Sequence, residues 1–287
     1  MPGIHVVTDS ASDMTRSMAE DRGVRVVPLT IRFGDEELVD RTELSTADFW
    51  KRLGEGTVMP STAAPAPGAF QETFTQAADA GAEAVVCICL SSELSATYQS
   101  ACTAASALSD RIEVRVIDSL SVTAAQGMLV QAAVDAAEAG RSLDEIEAEV
   151  LSRRDRTRIF AVIDSLEFLR RGGRIGGAAA LLGSMLSIKP VIEVREGRVD
   201  TESKQRTRSR ALAYLATKAV EAGPGGRVTV VDGDADDVQD LLDLLAKSDP
   251  PVSPEVVPLG PVIGSHTGPG TIGMCYQAAA GQAPPGT

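Results

Sequence analysis

The stretch "AEAVVCICLSSELSATYQSACTAASAL", residues 82–108, joins a continuous apolar run to a segment rich in alanine and serine. A run such as 82–90 is typical of a strand buried on both faces, which is the usual state in a parallel sheet. The segment after it predicts a helix, and serines stand where the strand ends. A buried strand followed at once by a helix indicates an α/β fold.

The same alternation continues on both sides of this stretch through the first half of the chain. Strands are predicted at 4–9, 24–33 (one strand or a bent pair) and 112–118, with helices at 121–139 and 143–155. Ser45 with Asp48, and Ser142 with Glu145, have capping-box spacing, so a helix is expected to begin after each serine. We predict a parallel sheet covered by helices on both faces.

The second half of the chain mixes hairpin signals with crossovers. The predicted elements are strands at 158–164, 227–232, 254–260 and 271–277, a hairpin turning at Glu196-Gly197, and helices at 207–222 and 235–247. This pattern favours a mixed α+β sheet. We predict an N-terminal α/β domain over 1–155, a C-terminal mixed domain over 156–280 and a disordered tail over 281–287, with the ligand site in the crevice between the domains.

Composition excludes several classes of function. The chain has 287 residues, is 44% hydrophobic and carries a net charge of −13, which repels nucleic acid. It lacks a signal-peptide pattern and any apolar run of about 18 residues, so we expect a cytoplasmic protein without a transmembrane segment. Four cysteines without a C-x-x-C pair, and only two histidines, predict buried thiols in a reducing compartment and no metal site.

One histidine lies in "GSHTGPGTIG", residues 264–273, where "GPGTIG" matches the G-x-G-x-x-G pattern of dinucleotide-binding loops. Such a loop opens a helix, with an acid about 20 residues further on. Here only 14 residues follow Gly273, Pro269 lacks a backbone N–H, and 271–277 has the pattern of a strand. We therefore predict no nucleotide cofactor, and a bent loop that carries His266.

Hydroxyl side chains cluster where the predicted strands end, notably at Thr8, Ser91, Ser95 and Ser119. Ser95 also stands near the start of a predicted helix, where free N–H groups favour a carboxylate or a phosphate. A serine at this place is equally well explained as a helix N-cap. A hydrolase using His266 with one of these serines stays open, although the G-x-S-x-G elbow is absent.

Eight motifs, taken in order, resemble the DegV family of bacterial fatty-acid-binding proteins over residues 4–277. They are "VTDSASD" (7–13), "PSTAAPAPGAF" (60–70), "SSELSATYQSA" (91–101), "DSLSVTAAQG" (118–127), "LEFLRRGGRIGG" (166–177), "LSIKPVI" (186–192), "SKQRTRSRAL" (203–212) and "GPVIGSHTGPGTIG" (260–273).

The resemblance implies two domains with a long-chain fatty acid between them, and no catalytic residue in this chain. It implies that Thr62 and Ser95, with the N–H of Ala96, bind the carboxylate, supported by Arg206 and His266. It also implies a partner, a fatty-acid kinase that phosphorylates the bound lipid to an acyl phosphate. Departures from the family pattern are Ala96 in place of glycine, and Ala64 and Ala66 in place of glutamine and serine.

Two further sets of residues are candidates on chemical grounds. The segment 176–192 offers small and aliphatic residues for an acyl slot, with ordinary core packing as the alternative; its candidate lining residues are Leu181, Leu182, Met185, Leu186 and Ile188. Arg170, Arg171 and Arg174 form a basic cluster that suits either a solvated helix end or a kinase docking site. We expect a monomer; the alternatives are a serine/histidine hydrolase or acyltransferase, and a small-anion sensor.

Overall fold

The computed structural model describes residues 3–56, 58–183 and 188–281. Its strands are β1 Gly3–Asp9, β2 Arg25–Val27, β3 Thr30–Phe33, β4 Glu36–Val39, β5 Pro60–Ala63, β6 Ala82–Cys89, β7 Glu113–Asp118, β8 Thr157–Val162, β9 Lys189–Arg195, β10 Arg198–Gln205, β11 Arg227–Gly233, β12 Glu255–Pro258 and β13 Thr271–Gln277. Its α-helices are α1 Arg16–Asp21, α2 Thr46–Gly54, α3 Pro67–Asp79, α4 Thr97–Ala107, α5 Thr123–Glu138, α6 Leu143–Arg154, α7 Glu167–Arg171, α8 Arg208–Ala219, α9 Val238–Ala246 and α10 Pro261–Thr267.

The predicted parallel sheet of the first half is confirmed. Four parallel strands stand in the order β2-β1-β6-β7, and β6, whose sequence indicated the fold, is the most buried of them. The run 24–33 is a bent pair, because β2 ends at Val27, before Pro28, which has no N–H to continue the ladder. Beyond that bend β3 joins β4 and β5 in a small antiparallel sheet.

The second half forms the mixed sheet that its sequence pattern predicts. Six strands stand in the order β10-β9-β8-β13-β11-β12, and the β11–β12 pair is parallel while the others are antiparallel. Glu196 and Gly197 form the predicted hairpin turn between β9 and β10, with φ of 49° and 80°. Two positive φ angles identify a turn whose twist matches that of its strands.

Both predicted helix starts are confirmed, whereas the prediction of a loop around His266 is wrong. Ser45 Oγ accepts from the N–H of Asp48 at 3.0 Å, and Ser142 forms a complete capping box with Glu145, so both helices begin where expected. His266 was expected in a bent loop and instead lies in the last turn of α10. The bend comes after that helix, at Gly268 and Gly270, whose φ angles are 79° and 74°.

One hydrophobic cluster joins the two halves of the chain, taken here as the residues through 155 and those from 156 onward. It packs α2 from the first half against Val231, Leu259 and Val262 from the second. Trp50 on α2, the only tryptophan, also donates its indole N–H to the carbonyl of Leu259 at 3.1 Å. The predicted tail, 281–287, lies outside the described residues except for Gly281.

The contact between α2 and α10 provides a test of this interface. A Cβ added to Gly264 would lie 2.8 Å from both Phe49 Cε1 and Trp50 Cη2. We expect Gly264→Ala to lower the free energy of unfolding by about 1–3 kcal/mol through overpacking and to change the emission of Trp50. Urea denaturation followed by tryptophan fluorescence measures both effects. An unchanged midpoint and spectrum would show that the rings do not pack on this helix.

Three buried carboxylates lie beside the end of β1. Asp9 accepts from the N–H of Leu90 at 2.8 Å and so ties β1 to the end of β6. Asp13 and Asp40 are equally buried, and both lie against Arg41, at 2.6 Å and 3.8 Å. Burial raises the pKa of Asp9 and of Asp40 to about 6, because the charged form loses its hydration.

These raised pKa values predict that Asp9 and Asp40 each stabilise the folded state more in mild acid than at neutral pH. In the folded state Asp40 keeps its proton up to about pH 6, whereas in the unfolded chain it loses the proton near pH 4. Its stabilising contribution is therefore complete below about pH 4 and is lost as pH rises through 6, by roughly 2–3 kcal/mol. We expect Asp40→Asn to flatten the dependence of the unfolding free energy on pH between 4 and 6. Urea denaturation at several pH values measures it, and parallel curves for the two proteins would contradict this assignment.

Candidate functional site

A cavity of about 230 Å³ lies between the six-stranded sheet and the first half of the chain. Its wall is mostly aliphatic and comes from both halves. The first half contributes Leu29, Leu90, Leu94 and Val122, and the second contributes Ile159, Ala161, Leu169, Ile192, Val194, Val199, Val231, Leu259, Val262, Ile263 and Gly273.

Strand alternation explains why one face of the six-stranded sheet lines this cavity. On β8, Ile159 and Ala161 line the cavity, whereas Phe160 and Val162 pack in the hydrophobic cluster that includes α8. Phe160 also counts among the lining residues, so the alternation is not complete. Ala161 stands beside Ile192 on β9 and Gly273 on β13 in the register of the sheet. Small side chains at 161 and 273 keep the middle of this wall open.

The cavity also has polar lining residues, among them Thr123, Glu193, Thr267 and Thr271. We call the part formed by Thr62 and His266 its polar end. Thr62 on β5 and His266 on α10 both line the cavity, and Thr62 Oγ1 lies 2.9 Å from His266 Nε2. Ser95 and Ala96 line the cavity from the loop that joins β6 to α4. The structure thus brings together four of the five residues predicted for carboxylate binding.

His266 is held as a neutral imidazole at this end of the cavity. Burial, followed by the nearby positive charge of Arg174, lowers the pKa of His266 to about 4. Its Nδ1 makes no hydrogen bond within the described residues and lies over Gly172, where an added Cβ would come within 2.3 Å. At neutral pH the ring therefore has one donor and one acceptor nitrogen.

The loop between β6 and α4 shows whether Ser95 is a helix N-cap and whether position 96 requires glycine. The N-cap of α4 is Ala96 and not Ser95, although Ser95 Oγ accepts from the N–H of Thr97, the first residue of α4, at 3.3 Å and the serine also lines the cavity. Ala96 has φ −74°, an ordinary value for any residue, so its backbone does not require the glycine that the family commonly carries.

The other two departures from the family pattern lie in different places. Ala64 lines the cavity, so an apolar methyl group stands where relatives commonly have glutamine. Ala66 is the N-cap of α3 and makes no side-chain cap hydrogen bond, so the usual serine there would serve the helix. Of these two alanines, only Ala64 changes the polarity of the site.

The three arginines of the basic cluster have separate environments. Arg170 and Arg171 are exposed on α7 and both form ion pairs with Glu167. Arg174 turns inward: it lines the cavity, and its Nε donates to the carbonyl of Leu94 at 2.9 Å. Arg170 and Arg171 are thus accessible at the surface, as the predicted docking site requires. Arg174 instead lies at the polar end of the cavity.

Several predicted site residues are not brought to the cavity. Arg206 is exposed between β10 and α8 and is not among the lining residues. Leu181 is buried behind the wall in a cluster with Leu166 and Leu169, Ile188 packs on that cluster, and Leu182 is 43% exposed. Met185 and Leu186 lie outside the described residues. Much of the wall comes instead from strands of the six-stranded sheet, for which the apolar runs in 157–162 and 189–195 were the available signal.

Two classes of feature are absent from the described part of the chain. No group of three or more histidine, cysteine, aspartate or glutamate side chains in residues 3–56, 58–183 and 188–281 is arranged to hold a metal ion. Over the same ranges, no helix is long and apolar enough to cross a membrane. All four cysteines are free, and Cys87, Cys89 and Cys275 are buried as expected.

Together, the fold and the cavity define an α/β protein with a largely apolar cavity between its six-stranded sheet and the first half of the chain, and with Thr62 and His266 at its polar end. A family model described as "Uncharacterised protein, DegV family" matches residues 3–279. A DegV domain-containing protein of Streptomyces coelicolor is 36% identical over 275 residues, which cover 94% of this chain and 97% of that protein. The chain belongs to the DegV family.

Solved structures with the same fold include proteins that bind fatty acids. A structure described as fatty acid binding of a DegV family protein from Thermus thermophilus has a TM-score of 0.88 and 35% identity, covering 96% of this chain and all of that one. A stearic-acid-binding protein from Eubacterium ventriosum has a TM-score of 0.87 and 28% identity, with 96% and 98% of the chains covered. DegV from Bacillus subtilis, described as a fatty acid binding protein, has a TM-score of 0.85 and 29% identity, with 96% and 99% covered.

Proposed function

We propose that this protein binds a long-chain fatty acid in the cavity between its sheets and presents the carboxylate to a fatty-acid kinase. It acts as a monomeric, non-enzymatic carrier in the cytoplasm, and the kinase forms the acyl phosphate. The observation that carries the proposal is an apolar cavity with Thr62 and His266 hydrogen-bonded to each other at one end. The fatty-acid-binding relatives support the same ligand class.

The hydrogen-bonding capacities at this end suit a carboxylate. An ionised carboxylate only accepts hydrogen bonds, so Thr62 must use its hydroxyl hydrogen to bind it. His266 Nε2 then has to donate to Thr62 Oγ1, which a neutral imidazole can do. Arg174, which also lines the cavity, adds a positive charge that favours an anionic head group.

The apolar wall supplies the greater part of the binding free energy. Burial of one CH₂ group contributes about 0.8 kcal/mol, so a 16-carbon chain gains on the order of 12 kcal/mol before the cost of ordering it. The polar end has only to orient the head group. This division of roles suits a ligand whose carboxylate becomes an acyl phosphate while its chain stays in place.

The polar end also lies close enough to the surface for a kinase to reach it. Ala96 is exposed while Ser95 and Thr62 are half-buried. Arg170 and Arg171 are 52% and 59% exposed on α7, the helix that leads to the Gly172 contact with His266. A basic surface beside the head group suits an acidic face on the kinase.

The geometry of the site supports a carrier better than a hydrolase. A serine hydrolase needs a histidine base held by an acid, and His266 Nδ1 has no hydrogen-bond partner within the described residues. A pKa of about 4 also makes His266 a weak general base at neutral pH. Its nearest hydroxyl is that of Thr62, which we assign to ligand binding.

Lipid analysis of the purified protein tests the ligand class. We expect native mass spectrometry to detect one fatty acid per chain, and organic extraction to release it. The delipidated protein should take up one equivalent of palmitate or oleate. A protein that is lipid-free as purified and binds neither would contradict the proposal.

The kinase partner needs its own test with the fatty-acid-loaded protein. A purified bacterial fatty-acid kinase with ATP should form acyl phosphate, which hydroxylamine traps. We expect Arg170→Glu with Arg171→Glu to lower this rate while the lipid content is unchanged. Arg16→Glu is the matched control, because Arg16 is exposed on α1 in the other half of the chain. If the parent, the Arg170/Arg171 double variant and Arg16→Glu all support the same rate, Arg170 and Arg171 do not take part in docking.

A further inference from the structure

The short helix α10, which carries His266, is held by the first half of the chain at both ends. Near its C-terminal end His266 meets Thr62 at 2.9 Å. At its N-terminal end the N-cap residue Gly260 donates its backbone N–H to Asp13 Oδ1 at 3.1 Å. Gly260 has no side chain to cap the helix. Its N–H is bound instead by a carboxylate that lies 247 positions away in the sequence.

Asp13 is itself rigidly placed. Its side chain is fully buried, and its carboxylate also accepts from Arg41 Nη2 at 2.6 Å. Its backbone has φ 55°, because it closes the short 3₁₀ turn Ser10–Ser12 that follows β1. Arg41 in turn donates to the carbonyl of Met14, so the acid and its counter-ion are attached to the same segment.

We infer that Asp13 is a positioning residue for His266, acting through α10. Gly260 and His266 are six residues apart, or about 9 Å along a helix axis, so a shift of the first turn moves the imidazole at the other end. With Asp13 holding the start of α10 and Thr62 meeting its end, the imidazole is fixed against the first half of the chain. Asp13 does not line the cavity and acts only through the helix.

Close packing at the start of the helix supports this assignment. A Cβ at Gly260 would lie 2.4 Å from Asp13 Oδ1 and 2.5 Å from Arg41 Nη2. The backbone of Gly260 has φ −76°, which alanine also adopts, so glycine is needed there for space and not for conformation. The carboxylate and the helix start are therefore in direct contact, with no room for a side chain between them.

The inference rests on the proposed function only for its consequence on lipid binding, and it is tested on lipid-free protein. The chain has two histidines, so imidazole NMR signals of His266 and His5 are resolved and assigned with His5→Ala. In the parent protein the pKa of His266 is about 4. We expect Asp13→Ala to raise it by about one unit or more as the ring regains water, while the His5 signal is unchanged.

Two controls separate positioning from general loss of stability. Asp13→Asn keeps an oxygen that accepts from Gly260, so its His266 pKa should remain near 4. Val150→Ala lowers stability from a buried position on α6, far from α10 in the fold, and should also leave it near 4. An unchanged His266 pKa in Asp13→Ala, or an equal rise in Val150→Ala, would overturn the inference.

A second variant covers the case in which Asp13→Ala does not fold. Gly260→Ala pushes the helix start away from an intact Asp13 and should likewise raise the pKa of His266. The double variant Gly260→Ala with Asp13→Asn should also raise the pKa of His266, since the side-chain oxygen of Asn occupies the place of Asp13 Oδ1. Were Gly260→Ala to fold with His266 still titrating near pH 4, the proposed coupling through α10 would be excluded, whatever the protein's affinity for fatty acids.

Discussion

Replacing Ala161 by tryptophan is expected to weaken fatty-acid binding by two orders of magnitude or more. Ala161 lies in the middle of the cavity wall, between Ile192 and Gly273 in the sheet. An indole there occupies space that the acyl chain needs. Each displaced CH₂ group costs about 0.8 kcal/mol, so four of them weaken binding by about 3 kcal/mol, a factor of about 200.

Isothermal titration of delipidated protein with palmitate measures this loss. Ala213→Trp is the matched control, because Ala213 is exposed on α8 and should bind as the parent does. The unfolding midpoint of the lipid-free Ala161→Trp protein should not fall, since the indole fills a space that is apolar. A variant that still purifies with one fatty acid per chain would show that the acyl chain lies elsewhere.

Removal of the imidazole is expected to give the second largest effect. His266→Ala takes away the donor that orients the Thr62 hydroxyl toward the carboxylate. A hydrogen bond that serves a charged group contributes about 1.5–3 kcal/mol, so affinity should fall by about 10- to 150-fold. Because His266 is neutral well below pH 7, this loss should be the same at pH 6.5 and pH 8.

A second variant distinguishes the loss of the hydrogen bond from the loss of side-chain packing. Thr62→Val keeps the shape of the side chain and removes only the hydroxyl, so it should reproduce most of the loss. Since His266 acts through Thr62, the double variant should bind about as weakly as either single variant. His5→Ala, on β1, should bind normally. Fully additive losses would mean that His266 and Thr62 bind the carboxylate independently.

Much of the fold is readable from short stretches of sequence. The apolar run 82–90 and its neighbours indicate the parallel sheet, because strands buried on both faces are apolar throughout and lack alternating polar residues. Ser142 with Glu145 marks a helix start because the whole capping box lies within four residues. The sequence of 24–33 is compatible with one strand or a bent pair, because Pro28 interrupts a ladder but does not determine which sheet the next strand joins.

The site was readable only in part. Family motifs predict Thr62, Ser95 and His266 as site residues, and all three line one cavity in the structure. The many small and aliphatic residues of 176–192 predict an acyl-chain wall in that segment. Within the described part of that segment, Leu181 packs behind the wall and Leu182 faces outward, because a turn of helix directs neighbouring side chains in different directions.

By itself the sequence determined the family, the α/β class and the residue types at the polar end, because each is carried by local patterns and ordered motifs. Only the tertiary structure decided which strand faces line the cavity, that Arg174 turns inward, and that Asp13 meets Gly260 across 247 positions of chain. These outcomes depend on contacts between segments that are far apart in sequence, and no local pattern encodes which distant backbone N–H a buried carboxylate will reach.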